Sequence, residues 1–93
     1  MDRVEVLPFL GGAVMDKECL RFTFPPELVT EPLIYELGRQ FEVVTNIRRA
    51  NVTKDSGWVV LELEGAREEI DRSVRWARES GLIVESMPEG CDG

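Results

Sequence analysis

A chain of 93 residues, 43% of them hydrophobic, can close one small core and has little left for a second. Eighteen acidic side chains against eleven basic ones leave a formal charge of −7, which repels phosphate backbones and anionic membrane surfaces. This balance argues against a nucleic-acid partner, and no apolar run is long enough to insert into a bilayer.

Residues 1–17 read as a leader. Charges at Asp2, Arg3 and Glu5, together with Pro8 and the Gly11–Gly12 pair, break every apolar run, so no signal-peptide core forms and a cytoplasmic location is expected. The segment RVEVLPFL has the pattern of a short extra strand, while the glycine pair leaves a disordered leader open as the alternative. Cys19 and Cys91 are then expected as reduced thiols rather than a bridge, because intracellular redox conditions disfavour disulfides. Neither belongs to a C-x-x-C pair, and no metal or cofactor site is read.

The folded unit is expected over residues 18–87, with an unpatterned tail at 88–93. CLRFTF places Leu20, Phe22 and Phe24 on one face and Cys19, Arg21 and Thr23 on the other, the period-2 signature of a half-buried strand. Thr30, Glu31 and Pro32 supply a cap, an acidic first turn and a residue without an amide, so a helix is predicted to begin there, with Leu33, Ile34, Leu37 and Phe41 facing the core. Strands over about 42–53 and 57–64 meet across the polar turn TKDSG as an antiparallel hairpin. In the second arm Val59, Leu61 and Leu63 form the core side, opposite Trp58, Val60, Glu62 and Glu64. In the first arm the parity of the apolar residues changes, and one extra residue near Arg48–Arg49, a β-bulge, brings Ile47, Ala50 and Val52 to one side. EGAREEIDRSVRWARESG reads as a second helix, with Ala66, Ile70, Val74 and Ala77 buried and Gly81 as a left-handed C-terminal cap. LIVES closes the chain as a strand.

The order βαββαβ makes a four-stranded antiparallel sheet with two helices on one face, an α+β ferredoxin-like sandwich. Its other face stays bare and carries Arg21, Thr23, Trp58, Val60, Glu62 and Glu64, an apolar centre among charges. Thr23, Trp58 and Val60 are the candidate homodimer interface, since aromatic side chains dominate the buried centres of interfaces. The competing reading is a monomer whose Trp58 is covered by the leader.

The segments RFTFPPELVTEPLIYELGRQFEVVTNIRRANV, GWVVLELEG and IDRSVRWARESGLIVE, with Phe24, Pro32, Asn46–Ile47, Ala50, Gly57, Gly65, Trp76, Val84 and Glu85 in that order, resemble the NIL domain. This module occurs at the C-terminus of methionine-importer ATPase subunits and fused to some ferredoxins. The resemblance covers about residues 19–86 and implies a ferredoxin-like fold, related in shape to ACT-type sensors, that pairs through its sheet. In the importer it implies methionine binding as a feedback signal. The family's Asn-Ile-Leu signature is Asn46-Ile47-Arg48 here, so Asn46, Ile47 and Arg48 are the candidate ligand residues. The arginine brings charge and bulk to a site expected to accept an apolar side chain.

Read from the residues alone, Asn46 can donate and accept at once, as an amino-acid ligand needs, or can satisfy its own backbone in a bulge. Arg48 and Arg49 can fork onto a carboxylate or balance glutamates across the sheet. There is no phosphate-cradling Gly-x-x-x-x-Gly-Lys-Ser/Thr loop and there are too few cysteines for an iron–sulfur cluster. An RNA-recognition module lacks its basic field, a metallochaperone its paired cysteines, and an acylphosphatase its anion loop. With no histidine and no nucleophile–base pair, an enzyme is not expected. The expectation is a stand-alone, non-catalytic regulatory domain without a cofactor, which senses a methionine-like amino acid as a homodimer and acts on another, unidentified protein. The alternative is a structural interaction module whose pocket is blocked by Arg48.

Overall fold

A computed structural model describes residues 15–91 of the chain. Alternation of apolar and polar side chains produces β1 (Met15–Phe24), which starts four residues before the CLRFTF pattern. The possible strand in RVEVLPFL lies outside the described residues. After Pro25 the chain makes a 3-10 turn at Pro26–Leu28 and then helix α1 (Leu33–Gln40). It continues through β2 (Val43–Val52), β3 (Gly57–Ala66), α2 (Arg67–Glu79) and β4 (Ile83–Ser86). The strands form one sheet in the order β2-β3-β1-β4 with every neighbouring pair antiparallel, so the ferredoxin-like α+β arrangement stands.

The core lies between the sheet and the helices. Leu20 and Phe22 of β1, Leu61 and Leu63 of β3, Leu37 of α1 and Ile70 and Ala77 of α2 are its buried centre. Cross-strand register explains the layering. Leu20 pairs with Leu61 and Phe22 with Val59 and Val84, so three strands present apolar residues to the same side.

Two boundaries differ from the sequence expectation. Thr30 does not cap α1; the helix begins at Leu33, preceded by Pro32 at φ −80°, ψ 55°, with no side-chain cap. Proline disfavours the helical region for the residue before it, so Glu31 cannot join the helix, and the chain instead closes the turn Glu31 N→Leu28 O at 3.0 Å. Ala66 ends β3 rather than extending the stripe of α2, whose buried face gains Ser73 instead. The Ser73 hydroxyl donates to the Ile70 carbonyl at 2.8 Å, satisfying itself inside the core. Gly81 fulfils its role at φ +107°, with Leu82 N donating to Ala77 O and Gly81 N to Arg78 O, the paired bonds of a Schellman cap.

The hairpin turn is polar, as expected. Thr53 Oγ1 accepts from the amides of Asp55 and Ser56, and Thr53 N donates to Ser56 O at 2.8 Å. The predicted bulge is also present: β2 pairs Ile47 with Leu61 and Arg49 with Val60, so the register steps over Arg48. Ile47, Ala50 and Val52 consequently share the helix side of the sheet, although Ile47 and Val52 are each 58% exposed, on a sheet-edge strand.

Two contacts tie β2 to its neighbours closely enough to test. A Cβ on Gly65 would lie 2.7 Å from the Glu42 carbonyl oxygen and 3.3 Å from Val43 Cγ1. Gly65→Ala must push the start of β2 aside, and we expect it to lower unfolding stability in urea by roughly 1–3 kcal/mol; an unchanged midpoint would contradict this packing. Glu69, in the first turn of α2, accepts from the Glu42 amide at 2.9 Å and pairs with Arg72. The amide bond, followed by Arg72, holds the Glu69 carboxyl below its ordinary 4.5. A depressed folded pKa contributes stability above the unfolded value, and that contribution is lost as pH falls through the folded value. Thermal unfolding followed from neutral pH to below 4.5 should therefore show a shallower acid loss in Glu69→Gln than in the parent. Parallel curves would refute the assignment.

Candidate functional site

Side chains alternate along a strand, so the register assigns each candidate residue to one side of the sheet. Asn46 pairs with Glu62, which pairs with Cys19, and the three form a row across the face the helices leave uncovered. Thr23 pairs with Trp58, and Val60 sits between Arg21 and Arg49, also on this face. Ile47 pairs with the core residue Leu61 and belongs to the opposite side. The structure thus groups Asn46 with Thr23, Trp58 and Val60, and separates it from Ile47. The sequence already carried that signal, since adjacent residues in a strand point apart.

The guanidinium of Arg48 approaches the Glu62 carboxylate at 3.7 Å, with the two side chains 35% and 25% exposed. At that separation the charges attract without a well-formed hydrogen bond. Asn46, exposed and directly across from Glu62, lies beside the pair, and Val44 adds an apolar surface, 62% exposed, two residues along the same face. Hydrogen-bond donors, a carboxylate and an apolar neighbour therefore meet at one place. Glu62 is the member that sequence reasoning missed as a site residue; its register opposite Asn46 was the missing information.

Trp58 stands near the hairpin end of the face. The Arg21 guanidinium carbon lies 4.6 Å from its ring centroid and that of Arg49 lies 5.8 Å away, an arrangement in which the ring quadrupole attracts both cations. Val60, between those two arginines in register, is only 1% exposed, so it supports the face rather than offering area to a partner. On the other side of the sheet, an apolar recess of about 200 Å³ lies between the start of α1 and the hairpin, lined by Phe24, Val29, Ile34, Tyr35, Val52 and Val59. Neither Asn46 nor Arg48 is among its described lining residues, and Arg48 reaches toward Glu62 on the uncovered face. It does not block this recess.

The cysteines correct the expectation of two reduced thiols. Cys19 and Cys91 form a disulfide, with Cα atoms 5.3 Å apart and 72 residues between them in sequence. After β4 the tail stays beside β1, Met87 N donating to Cys19 O at 3.0 Å, and a turn closed by Gly90 N→Met87 O at 3.0 Å brings Cys91 over the sheet. Compartment arguments carry no information about this proximity, because it depends on where the chain goes after β4. Closing a loop of that length restricts the unfolded chain by about 4 kcal/mol in the chain-entropy picture.

The sequence matches the NIL domain over residues 18–86. Among similar proteins, the methionine import ATP-binding protein MetN of Helicobacter pylori (strain J99 / ATCC 700824) is 31% identical over 77 residues, covering 78% of this chain and 24% of that protein. The protein of the same name from Geobacillus kaustophilus (strain HTA426) is 31% identical over 85 residues, covering 87% of this chain and 25% of its own length. The chain belongs to the NIL domain family. It spans about a quarter of the length of these relatives. None of the helices described here is long and apolar enough to cross a membrane.

The loose, solvent-facing geometry of the Arg48–Glu62 pair makes it a poor source of stability. A double-mutant cycle of Arg48→Ala and Glu62→Gln, followed by urea unfolding, should return a coupling of no more than about 0.5 kcal/mol for this pair. A coupling well above about 1 kcal/mol would mean that the Arg48–Glu62 pair is a structural strut.

Proposed function

We propose that this chain is a non-catalytic, cytoplasmic regulatory module that works as a homodimer and senses an apolar amino acid of the methionine type at Asn46, Arg48 and Glu62. The observation that carries the reading is the 3.7 Å gap between Arg48 and Glu62 beside Asn46. A zwitterionic head group complements both halves of that pair: its carboxylate meets the guanidinium fork and its ammonium meets the glutamate. Asn46 can bond to either end, and the exposed Val44 side chain offers contact to an apolar ligand side chain. Arg48, which departs from the family's Asn-Ile-Leu signature, then acts as a carboxylate partner rather than a plug.

The relatives support the ligand class and the compartment, since they are methionine import proteins that bind ATP, a cytoplasmic nucleotide. The homodimer reading is supported by the sheet face that the helices leave uncovered, where Thr23 and Trp58 lie next to the buried Val60 and share the side of the sheet that carries Asn46. Pairing through this face would bring the ligand residues to the subunit boundary, so that occupancy changes the surface offered to a regulated protein. The second reading, an interaction module without a small-molecule ligand, is favoured by the Trp58 ring held between two arginines, which suits a docking surface equally well.

Calorimetric titration with methionine and a panel of other amino acids, alongside light scattering, separates the two. We expect saturable binding by a dimer, weakened roughly tenfold or more in Asn46→Ala and in Arg48→Ala, since each removes a hydrogen bond to a charged group. A stable dimer that binds no amino acid would establish the interaction module instead, and a monomer would remove the assumption shared by both readings.

A further inference from the structure

Cys19, Glu62 and Cys91 bring two sulfurs and a carboxylate oxygen within 4.8 Å of one another. Three separate parts of the fold create this cluster. The β1–β3 register sets Cys19 directly across from Glu62, Met87 holds the start of the tail against Cys19, and Gly90, at φ +97°, lets the chain reverse so that Cys91 returns to the sheet. Cys91 is buried, whereas Cys19 and Glu62 are half-buried. A cavity of about 300 Å³ opens alongside, lined by Lys17, Cys19, Glu62, Ser86 and Met87 among others.

We propose that the Cys19–Cys91 disulfide is the oxidised state of a metal site, and that the reduced chain binds one zinc-class divalent ion through Cys19 Sγ, Cys91 Sγ and a Glu62 carboxylate oxygen. Two thiolates and one carboxylate are a donor set that suits Zn²⁺, and three protein ligands leave a fourth tetrahedral position facing the cavity. The Cα separation of 5.3 Å allows the two sulfurs, once the bond is broken, to rotate apart onto one ion without displacing either strand or tail.

The change of state needs a reductant, and a small dithiol is the class that serves. Its thiolate attacks one sulfur of the bridge, the Cys19–Cys91 bond breaks, and the second thiol of the reductant resolves the mixed disulfide. The reductant leaves as its own cyclic disulfide, having supplied two electrons and two protons, and Cys19 and Cys91 remain as thiols. Binding the ion then releases both thiol protons to solvent. In the oxidised chain the sulfurs hold each other and the site does not exist.

The site also competes for Glu62, which otherwise approaches Arg48 at 3.7 Å. An ion held by Glu62 draws the carboxylate toward Cys19 and away from β2. The inference shares Glu62 with the amino-acid reading but does not rest on it, because its other ligands are the two cysteines and its readout is metal absorption by the reduced chain.

Co²⁺ serves as the probe for the first experiment, because thiolate coordination gives it intense charge-transfer absorption and a tetrahedral site gives it strong visible bands. The full chain, reduced with a dithiol and desalted without oxygen, is titrated with Co²⁺ and then with Zn²⁺ against a chromophoric chelator. We expect one ion per chain, both absorption signatures, displacement of Co²⁺ by Zn²⁺, and neither signature in the oxidised chain. Cys91→Ser should lose the thiolate bands, and the near-isosteric Glu62→Gln, which leaves both cysteines in place, should weaken Zn²⁺ roughly tenfold or more. Circular dichroism of both variants verifies that the sheet persists. Absence of stoichiometric binding by the reduced chain, equal affinity in Glu62→Gln, or one ion shared by two chains would each overturn the proposal.

Discussion

An extra residue in an edge strand sets the chemistry of this domain. Because side chains alternate, β2 in uninterrupted register could not present Val43, Thr45 and Ile47 as well as Ala50 and Val52 to the helix side. The step over Arg48 resolves this conflict. It also leaves Arg48 displaced toward Glu62 and places Arg49 opposite Val60, within reach of the Trp58 ring. Both basic residues of β2, in an otherwise acidic chain, thus gather on the face that the helices leave uncovered, although the hydrophobic pattern alone would give no reason for them to be there.

Glu62 is where the remaining features meet. It lies at the centre of a row running from Asn46 on β2 to Cys19 on β1, and a carboxylate there can serve a guanidinium on one side or a metal on the other. The two uses exclude each other at the level of a single oxygen pair. Under the two proposals, redox conditions would alter ligand binding without a large conformational change, since only side chains need to move. The tail supplies the second cysteine, so a short segment after β4 carries as much chemistry as the strands it crosses.

Most of the fold was legible in the sequence for reasons that can be named. Leu20, Phe22 and Phe24 in β1 and Val59, Leu61 and Leu63 in β3 declare the core side of both central strands. The conflict between Val43 and Ile47 on one hand and Val44, Ala50 and Val52 on the other announced the bulge, and Gly81 announced the end of α2. The start of α1 was misjudged because Thr30 and Glu31 resemble a cap and first turn, while the restriction that Pro32 places on Glu31 is the stronger effect. The disulfide could not be read from local pattern, as its two halves are 72 residues apart and are joined by the path of the tail. The candidate site was legible only in part: Asn46 and Arg48 stand out by chemistry, whereas Glu62 enters the proposal through strand register, and register is a tertiary property.

The account stands on the register of β2 against β3 on either side of Arg48, and cross-strand proton contacts measured by nuclear magnetic resonance report that register directly. Contacts linking Ile47 to Leu61 and Ala50 to Val59, together with Asn46 to Glu62, are the predicted result. A continuous ladder that instead sets Arg49 against Val59 and Ala50 against Trp58 would contradict it, because Arg49 would then turn to the helix side and the grouping on the uncovered face would dissolve.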